Sequence, residues 1–129
     1  MSAPPSPLRR VLEELDELKT EYADCSVTQQ ADGSFHVEIL NLPLPGGWNQ
    51  GVTRILVVVP VQYPSAMPSF FVDAPLRLAD GRNPAGMGNT TVGNQAWSTF
   101  CWQPQSWDVS KERLWKFVKF VLQRFTEVR

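Results

Sequence analysis

The chain has little of the side-chain chemistry that catalysis usually uses. Its 129 residues include one histidine, His36, and two cysteines, Cys25 and Cys101. These residues are far apart in the sequence, whereas metal ligands normally recur at short spacings, so we expect no metal site and no bound cofactor. Without a secretory signal, two cysteines indicate free thiols in a reducing, cytoplasmic environment.

An excess of charge and a long hydrophobic run are also missing. Twelve Lys and Arg residues against thirteen Asp and Glu give a formal net charge of −1. A protein that holds nucleic acid needs a basic surface, so nucleic acid is not an expected partner. The longest apolar run, residues 55–61, is too short to span a bilayer, and the first residues lack the apolar core of a signal peptide. No membrane partner is therefore predicted.

What the chain does have is enough apolar sequence for one folded unit. Hydrophobic residues make up 43% of it and charged residues 19%, as in ordinary globular proteins. A length of 129 residues suits one domain with its own core. We therefore predict a flexible N-terminus over residues 1–6 and a single domain over residues 7–129.

Apolar residues at helical spacing predict an amphipathic helix near the N-terminus. Ser6 is a suitable N-cap, and Pro7 suits the first helical position. Charged residues occupy one face of the predicted helix. The apolar face comprises Leu8, Val11, Leu12, Leu15, Leu18 and Tyr22.

Four strands are predicted next. Alternating or β-branched apolar residues occupy positions 25–29, 35–39, 53–59 and 69–73, and turn-forming residues separate them. Connections this short cannot make parallel crossovers. The strands should therefore form a four-stranded antiparallel meander.

A long loop and a second helix complete the predicted α+β fold. No periodicity survives over residues 74–96, where Gly, Pro and Asn are frequent, so a long active-site loop is predicted there. The C-terminal helix should begin with Ser110 as its N-cap and with Val109 packed onto Leu114 as a hydrophobic staple.

Cys101 is the cysteine whose setting suits a reactive side chain. It follows the predicted loop and lies among Trp97, Trp102 and Trp107. A thiolate is a good nucleophile where a cation, a base or a helix start assists it. The alternative is that Cys101 is a packed, inert thiol, because free cysteine is among the most often buried residues.

Few side chains could assist Cys101. His36 lies on the polar face of a predicted strand, and nothing in the sequence places it near Cys101, so a Cys–His hydrolase is the weakest interpretation. Acyl transfer from a thioester needs little base catalysis, but it needs a donor for the developing oxyanion. Asn83, Asn89 or Asn94 could supply that donor, although asparagine in a loop also serves turn geometry.

The order of these features resembles the ubiquitin-conjugating enzyme superfamily. The shared features are the helix and meander, the Tyr63-Pro-Ser-Ala-Met-Pro68 segment, a cysteine in a loop, and Trp107 before a second helix. The stretches 73–82 and 97–107 further resemble bacterial members that are encoded beside ubiquitin-like modification systems. The resemblance covers residues 7–125 and implies the UBC-like fold, truncated after the second helix because the superfamily's usual further helices do not follow it here.

Carried over to this chain, the resemblance makes Cys101 the thioester-forming nucleophile and Asn94 a candidate oxyanion donor. It implies a carrier that accepts a ubiquitin-like protein from an activating enzyme and passes it to a protein acceptor. The pathway would be bacterial and cytoplasmic, of the antiphage-defence kind. The His-Pro-Asn motif that precedes the cysteine in the superfamily is absent here. This absence leaves a second interpretation open, a catalytically inactive interaction module of the same fold.

Overall fold

The computed structural model describes residues 7–104 and 106–129, with side chains from Arg9 onward. The elements in chain order are α1 (Pro7–Glu21), β1 (Cys25–Gln29), β2 (Phe35–Pro43), β3 (Val52–Val59), β4 (Ser69–Asp73), β5 (Met87–Val92), β6 (Gln95–Phe100) and α2 (Leu114–Thr126). The strands pair antiparallel in the order β1-β2-β3-β4-β6-β5. An α+β fold with a helix at each end is confirmed. The predicted flexible residues 1–6, with the Ser6 cap, lie outside the described residues.

The first helix forms where its apolar spacing predicts it. Val11, Leu15 and Leu18 are buried in the core, as expected of one face of an amphipathic helix. Leu12, which the pattern assigns to the same face, is instead 49% exposed. The buried stripe of α1 is therefore narrower than the apolar pattern in its sequence.

The first four strands form the predicted meander. β1 pairs with β2, β2 with β3, and β3 with β4. Alternate residues of a strand face opposite sides of the sheet, and the core-facing set joins the buried residues of both helices in one cluster. This set includes the fully buried Val37, Ile55, Val57 and Val72. The sheet therefore carries α1 and α2 on one face.

The prediction of a long loop over residues 74–96 is wrong, because the second part of that stretch belongs to the hairpin of β5 and β6. The two strands pair along their full length around a turn at Gly93 and Asn94, which both have positive φ. Gly-Asn is a signal for such a two-residue hairpin turn. Gly88 and Asn89 mask it, because both residues have low strand propensity. Within the described residues the sheet thus has six strands rather than four.

β6 joins the sheet beside β4 over a short length only. The pairs Val72↔Ser98 and Asp73↔Trp97 are formed, and the register stops there. The earlier part of β4 and the later part of β6 therefore diverge. Their divergence leaves a cleft in the sheet next to the C-terminal end of β6.

The prediction that Ser110 caps the second helix is also wrong. α2 begins at Leu114 after Arg113, which makes no side-chain cap. Ser110 instead closes a turn, in which its backbone N–H and its hydroxyl donate to Asp108 Oδ1 at 3.0 and 2.7 Å. Val109 is 40% exposed rather than packed as a staple. Asp108, two residues earlier, accepts the hydrogen bonds of Ser110 as in an Asx turn, so the serine hydroxyl does not cap the helix.

The start of α2 is capped from α1 by a buried carboxylate. Glu14 Oε1 accepts the Leu114 N–H at 2.8 Å and the Tyr63 hydroxyl at 2.5 Å, and Oε2 accepts Arg10 Nε at 2.7 Å. A fully buried carboxylate needs such donors to offset the loss of hydration. Burial and, next, the hydrogen bond to Glu14 raise the pKa of Tyr63. The network joins α1, α2 and the Tyr63 segment.

Candidate active site

Cys101 lies directly after β6, and its side chain is exposed. Its backbone N–H donates to the Gly86 carbonyl at 3.0 Å, so the contact between the two arms of the β5–β6 hairpin continues one step beyond the strands. An exposed side chain on a hydrogen-bonded backbone is both accessible and held in place. The interpretation of Cys101 as a packed thiol is therefore wrong.

Gly86 packs closely against the backbone and the Cβ of Cys101. Its φ is +76°, and a Cβ added there would lie 3.4 Å from both the Cβ and the backbone nitrogen of Cys101. The left-handed conformation and the close approach both favour glycine. The sequence shows a glycine here but gives no sign of its partner, because the contact depends on the hairpin that the sequence pattern hides.

The three tryptophans around Cys101 pack away from its thiol. Trp97 is buried under the Arg54 guanidinium, which lies 4.2 Å from the ring centroid. Trp102 stacks on Phe120 at 5.2 Å and donates its indole N–H to the Phe120 carbonyl at 3.1 Å. The Trp107 indole donates to the carbonyl of Pro64, the second residue of the Tyr-Pro segment, at 2.7 Å. These contacts fix the chain on both sides of Cys101 and leave the thiol exposed.

The divergence of β4 and β6 produces a cleft of about 350 Å³, which is lined by residues on either side of Cys101 in the sequence but not by Cys101 itself. Residues immediately before and after the cysteine contribute to its walls. The lining is Met67, Pro68, Ser69, Phe70, Phe71, Thr99, Phe100, Trp102, Gln103, Pro104 and Phe117. Polar side chains at Ser69, Thr99 and Gln103 interrupt the apolar surface, and the last two lie two residues to either side of Cys101. Neither residue stands out in the sequence, since threonine suits any strand and glutamine any loop.

The structure does not bring Asn94 to Cys101. Asn94 lies in the hairpin turn with φ of 69°, whereas Cys101 follows the other end of β6. Seven residues of extended chain separate them by roughly 20 Å, at about 3.3 Å per residue. An oxyanion donor must reach within about 3 Å of the oxyanion. Of the other asparagines, Asn89 pairs with Ser98 across the hairpin, and Asn83 is exposed three residues before Gly86.

His36 is also remote from Cys101. It lies in β2 and pairs with Thr28 on one side and with Val58 on the other. β3 and β4 separate β2 from β6, so three strand spacings of about 4.8 Å, roughly 14 Å in all, lie between the two strands. The Cys–His arrangement that a hydrolase would require is absent at this distance.

Cys25 provides an internal comparison for Cys101. It begins β1 and is half-buried against the core. Burial, only partly offset by the positive charge of Lys19, raises the pKa of its thiol. Since the thiolate is the nucleophile, this half-buried thiol is a poor candidate for a catalytic cysteine.

Neither a metal-binding cluster nor a membrane-spanning helix is found among the described residues. No three or more His, Cys, Asp and Glu side chains among them are grouped so that they could hold a metal ion. No helix among the same residues combines the length and the apolar character needed to cross a bilayer.

A helix, an antiparallel meander, an exposed cysteine after the sheet and a second helix fit the E2-like class of α+β proteins. The model of one protein family, prokaryotic E2 family E, matches residues 12–127. The chain therefore belongs to this family, and the predicted resemblance to a bacterial branch of the ubiquitin-conjugating superfamily is confirmed. No match is found among curated proteins or solved structures. Membership indicates an E2-like, conjugating role in ubiquitin-like modification, with protein partners.

Proposed function

We propose that the protein carries a ubiquitin-like protein as a thioester on Cys101. The Cys101 thiolate attacks the thioester carbonyl of the activated ubiquitin-like C-terminus, and the thiol of the activating enzyme leaves as thiolate. An amine or another nucleophile of a protein acceptor then attacks the same carbon, gives up its proton, and releases the Cys101 thiolate. The observation that carries this proposal is the exposed Cys101 after β6 in a chain of the E2 family.

The surroundings of Cys101 suit thioester exchange better than hydrolysis. A thiolate is a good leaving group, so exchange needs little base catalysis, and His36 is too remote to act as a base. Bound partners can instead accelerate the reaction by proximity. In this proposal Thr99 and Gln103 offer polar groups near the acyl carbon, and Asn94 has no role.

The proposed partners are a ubiquitin-like protein, its activating enzyme and a protein acceptor. α1 offers the activating enzyme an exposed surface around Leu12, outside the core-facing stripe. The resemblance to bacterial members encoded beside ubiquitin-like systems extends the proposal to a cytoplasmic pathway of antiphage defence.

A non-catalytic interaction module is the second candidate. The observation that favours it is the position of Asn94 at the far end of the hairpin, together with the missing His-Pro-Asn motif. Such a module would bind the same partners and form no covalent adduct.

Reconstitution separates the two candidates. The protein is mixed with its activating enzyme, the ubiquitin-like protein and ATP, and the products are separated on gels with and without thiol reductant. We expect an adduct that reductant removes, that Cys101→Ala abolishes, and that Cys101→Ser converts to a reductant-resistant oxyester. Cys25→Ala is the matched control and should retain the adduct. Binding of both partners without an adduct, or an adduct that persists in Cys101→Ala, would sink the carrier assignment.

A further inference from the structure

Arg124, in the last turn of α2, is a buried cation. Its residue is only 3% exposed. The guanidinium donates to three backbone oxygens: from Nη2 to Ala85 at 2.9 Å and to Arg129 at 3.0 Å, and from Nη1 to Glu127 at 2.6 Å. A planar fork with fixed donors can serve several acceptors at once, which a lysine ammonium on a flexible stem does less well.

This burial is unfavourable by itself. The neighbouring Glu127 carboxylate pairs with Arg129, at 3.5 Å, rather than with Arg124. Loss of hydration, reinforced by the positive charge of Arg129 and partly offset by the negative charge of Glu127, lowers the pKa of Arg124. A buried charge loses hydration, and an apolar residue of similar volume is often no less stabilising at such a position. The contribution of Arg124 therefore lies in what its hydrogen bonds hold in place.

Arg124 contacts a residue on each of the two chain segments that meet at Cys101. Ala85 precedes Gly86, whose carbonyl accepts the Cys101 N–H at 3.0 Å. On the other arm of the hairpin, Phe100 ends β6 and directly precedes Cys101. The Arg124 guanidinium carbon lies 4.4 Å from the centroid of the Phe100 ring. One guanidinium thus contacts both chain segments that meet at the thiol.

We infer that Arg124 is a positioning residue for Cys101. It fixes residues 85–86 against Phe100, so that the Gly86 carbonyl stays bonded to the Cys101 backbone and the Cys101 side chain keeps its position at the end of β6. The catalytic consequence rests on the proposed thioester function. The positioning itself is a property of the free protein, and it can be measured without any partner.

The first measurement is amide hydrogen exchange of the Cys101 N–H in the full chain. Arg124→Lys keeps the charge and removes the fork, and it should accelerate this exchange by about tenfold, the loss of roughly one hydrogen bond. Amides of β2 and β3 should keep their rates. Arg10→Lys is the matched control, because Arg10 also donates to a backbone carbonyl, that of Glu112, and lies over an aromatic ring, that of Tyr63. It should leave the Cys101 amide unchanged.

A second variant reaches the same contact without touching Arg124. Gly86→Ala forces a side chain into a left-handed conformation against Cys101 and should accelerate the same amide. Unchanged Cys101 exchange in Arg124→Lys would overturn the inference. A parallel acceleration of all amides would also overturn it, since that result reports loss of global stability and not of local positioning.

The last measurement reports the catalytic consequence. In single-turnover transfer at saturating donor, Arg124→Lys should lower the first-order rate constant about tenfold and leave the half-saturating donor concentration unchanged. Alkylation of the exposed Cys101 by iodoacetamide should change less than twofold. If the wild-type protein forms no thioester, the proposed function fails, and the exchange result still decides whether Arg124 positions Cys101.

Discussion

The two ends of α2 are both held by a buried charge, but the charges hold different things. At the start, the Glu14 carboxylate accepts the Leu114 N–H. At the end, the Arg124 guanidinium donates to the Glu127 carbonyl just past the helix. Each sign is the one that the helix dipole favours at that end. Glu14 joins α1 to α2, whereas Arg124 joins α2 to the segment under Cys101. One end therefore serves mainly the fold, and the other serves mainly the site.

The largest expected effect is at the start of the helix. Glu14→Ala leaves Arg10, Tyr63 and the Leu114 N–H without their acceptor in a buried region. We expect the free energy of unfolding to fall by about 3 kcal/mol, since breaking a buried charged network strands its remaining members. Urea unfolding measures this change. Glu13→Ala, at an exposed neighbour, is the control and should change stability by less than about 0.5 kcal/mol.

The same variant tests whether the two ends are separable. Under conditions in which Glu14→Ala remains folded, the alkylation rate of Cys101 and the local exchange of its amide should match the wild type. If Glu14→Ala accelerates the Cys101 amide as strongly as Arg124→Lys does, the two ends of α2 act as one unit, and the distinction between them is lost.

Tyr63→Phe should have a smaller effect that depends on pH. The variant loses the hydrogen bond to Glu14 and should be less stable by about 1.5 kcal/mol at neutral pH. The raised pKa of folded Tyr63 means that the folded state binds its proton more tightly than the unfolded state does. Wild-type stability should therefore fall as the pH rises above about 10, the ordinary tyrosine pKa, and the variant should lack this contribution.

Stability measured at pH 8 and at pH 10.5 for both proteins checks this prediction. The difference between wild type and Tyr63→Phe should narrow at the higher pH. A difference that stays constant, or one that widens, would contradict the assigned role of the Tyr63–Glu14 hydrogen bond.

The sequence predicts those elements whose apolar residues recur with the period of a helix or a strand. α1 and the first four strands follow from apolar spacing, which determines the buried face of each element. The hairpin of β5 and β6 does not, because Gly88 and Asn89 obscure the period of β5. The start of α2 escapes prediction for another reason: its cap, Glu14, is 100 residues away in the sequence.

The candidate site divides in the same way. Cys101 is recognisable from its neighbours in the sequence, since the cysteine, the Tyr-Pro segment and Trp107 stand in a characteristic order. Gly86 and Arg124 are not recognisable, because their relation to Cys101 exists only once the hairpin pairs and α2 packs beside it. Asn94 shows the converse, since its separation from Cys101 in sequence is suitable but the extended strand between them carries it away.

The smallest expected effect is at Asn94, and it tests which end of the hairpin serves the site. Asn94→Gly keeps a residue that tolerates positive φ, so stability should change by less than about 0.5 kcal/mol. Thioester formation and transfer should proceed at wild-type rates, because the turn lies roughly 20 Å from Cys101. Single-turnover transfer measures this directly. A loss of tenfold or more would mean that the turn reaches the thiol in the complex with the partners, and the oxyanion donor would then have to be sought at the tip of the hairpin rather than among the side chains beside Cys101.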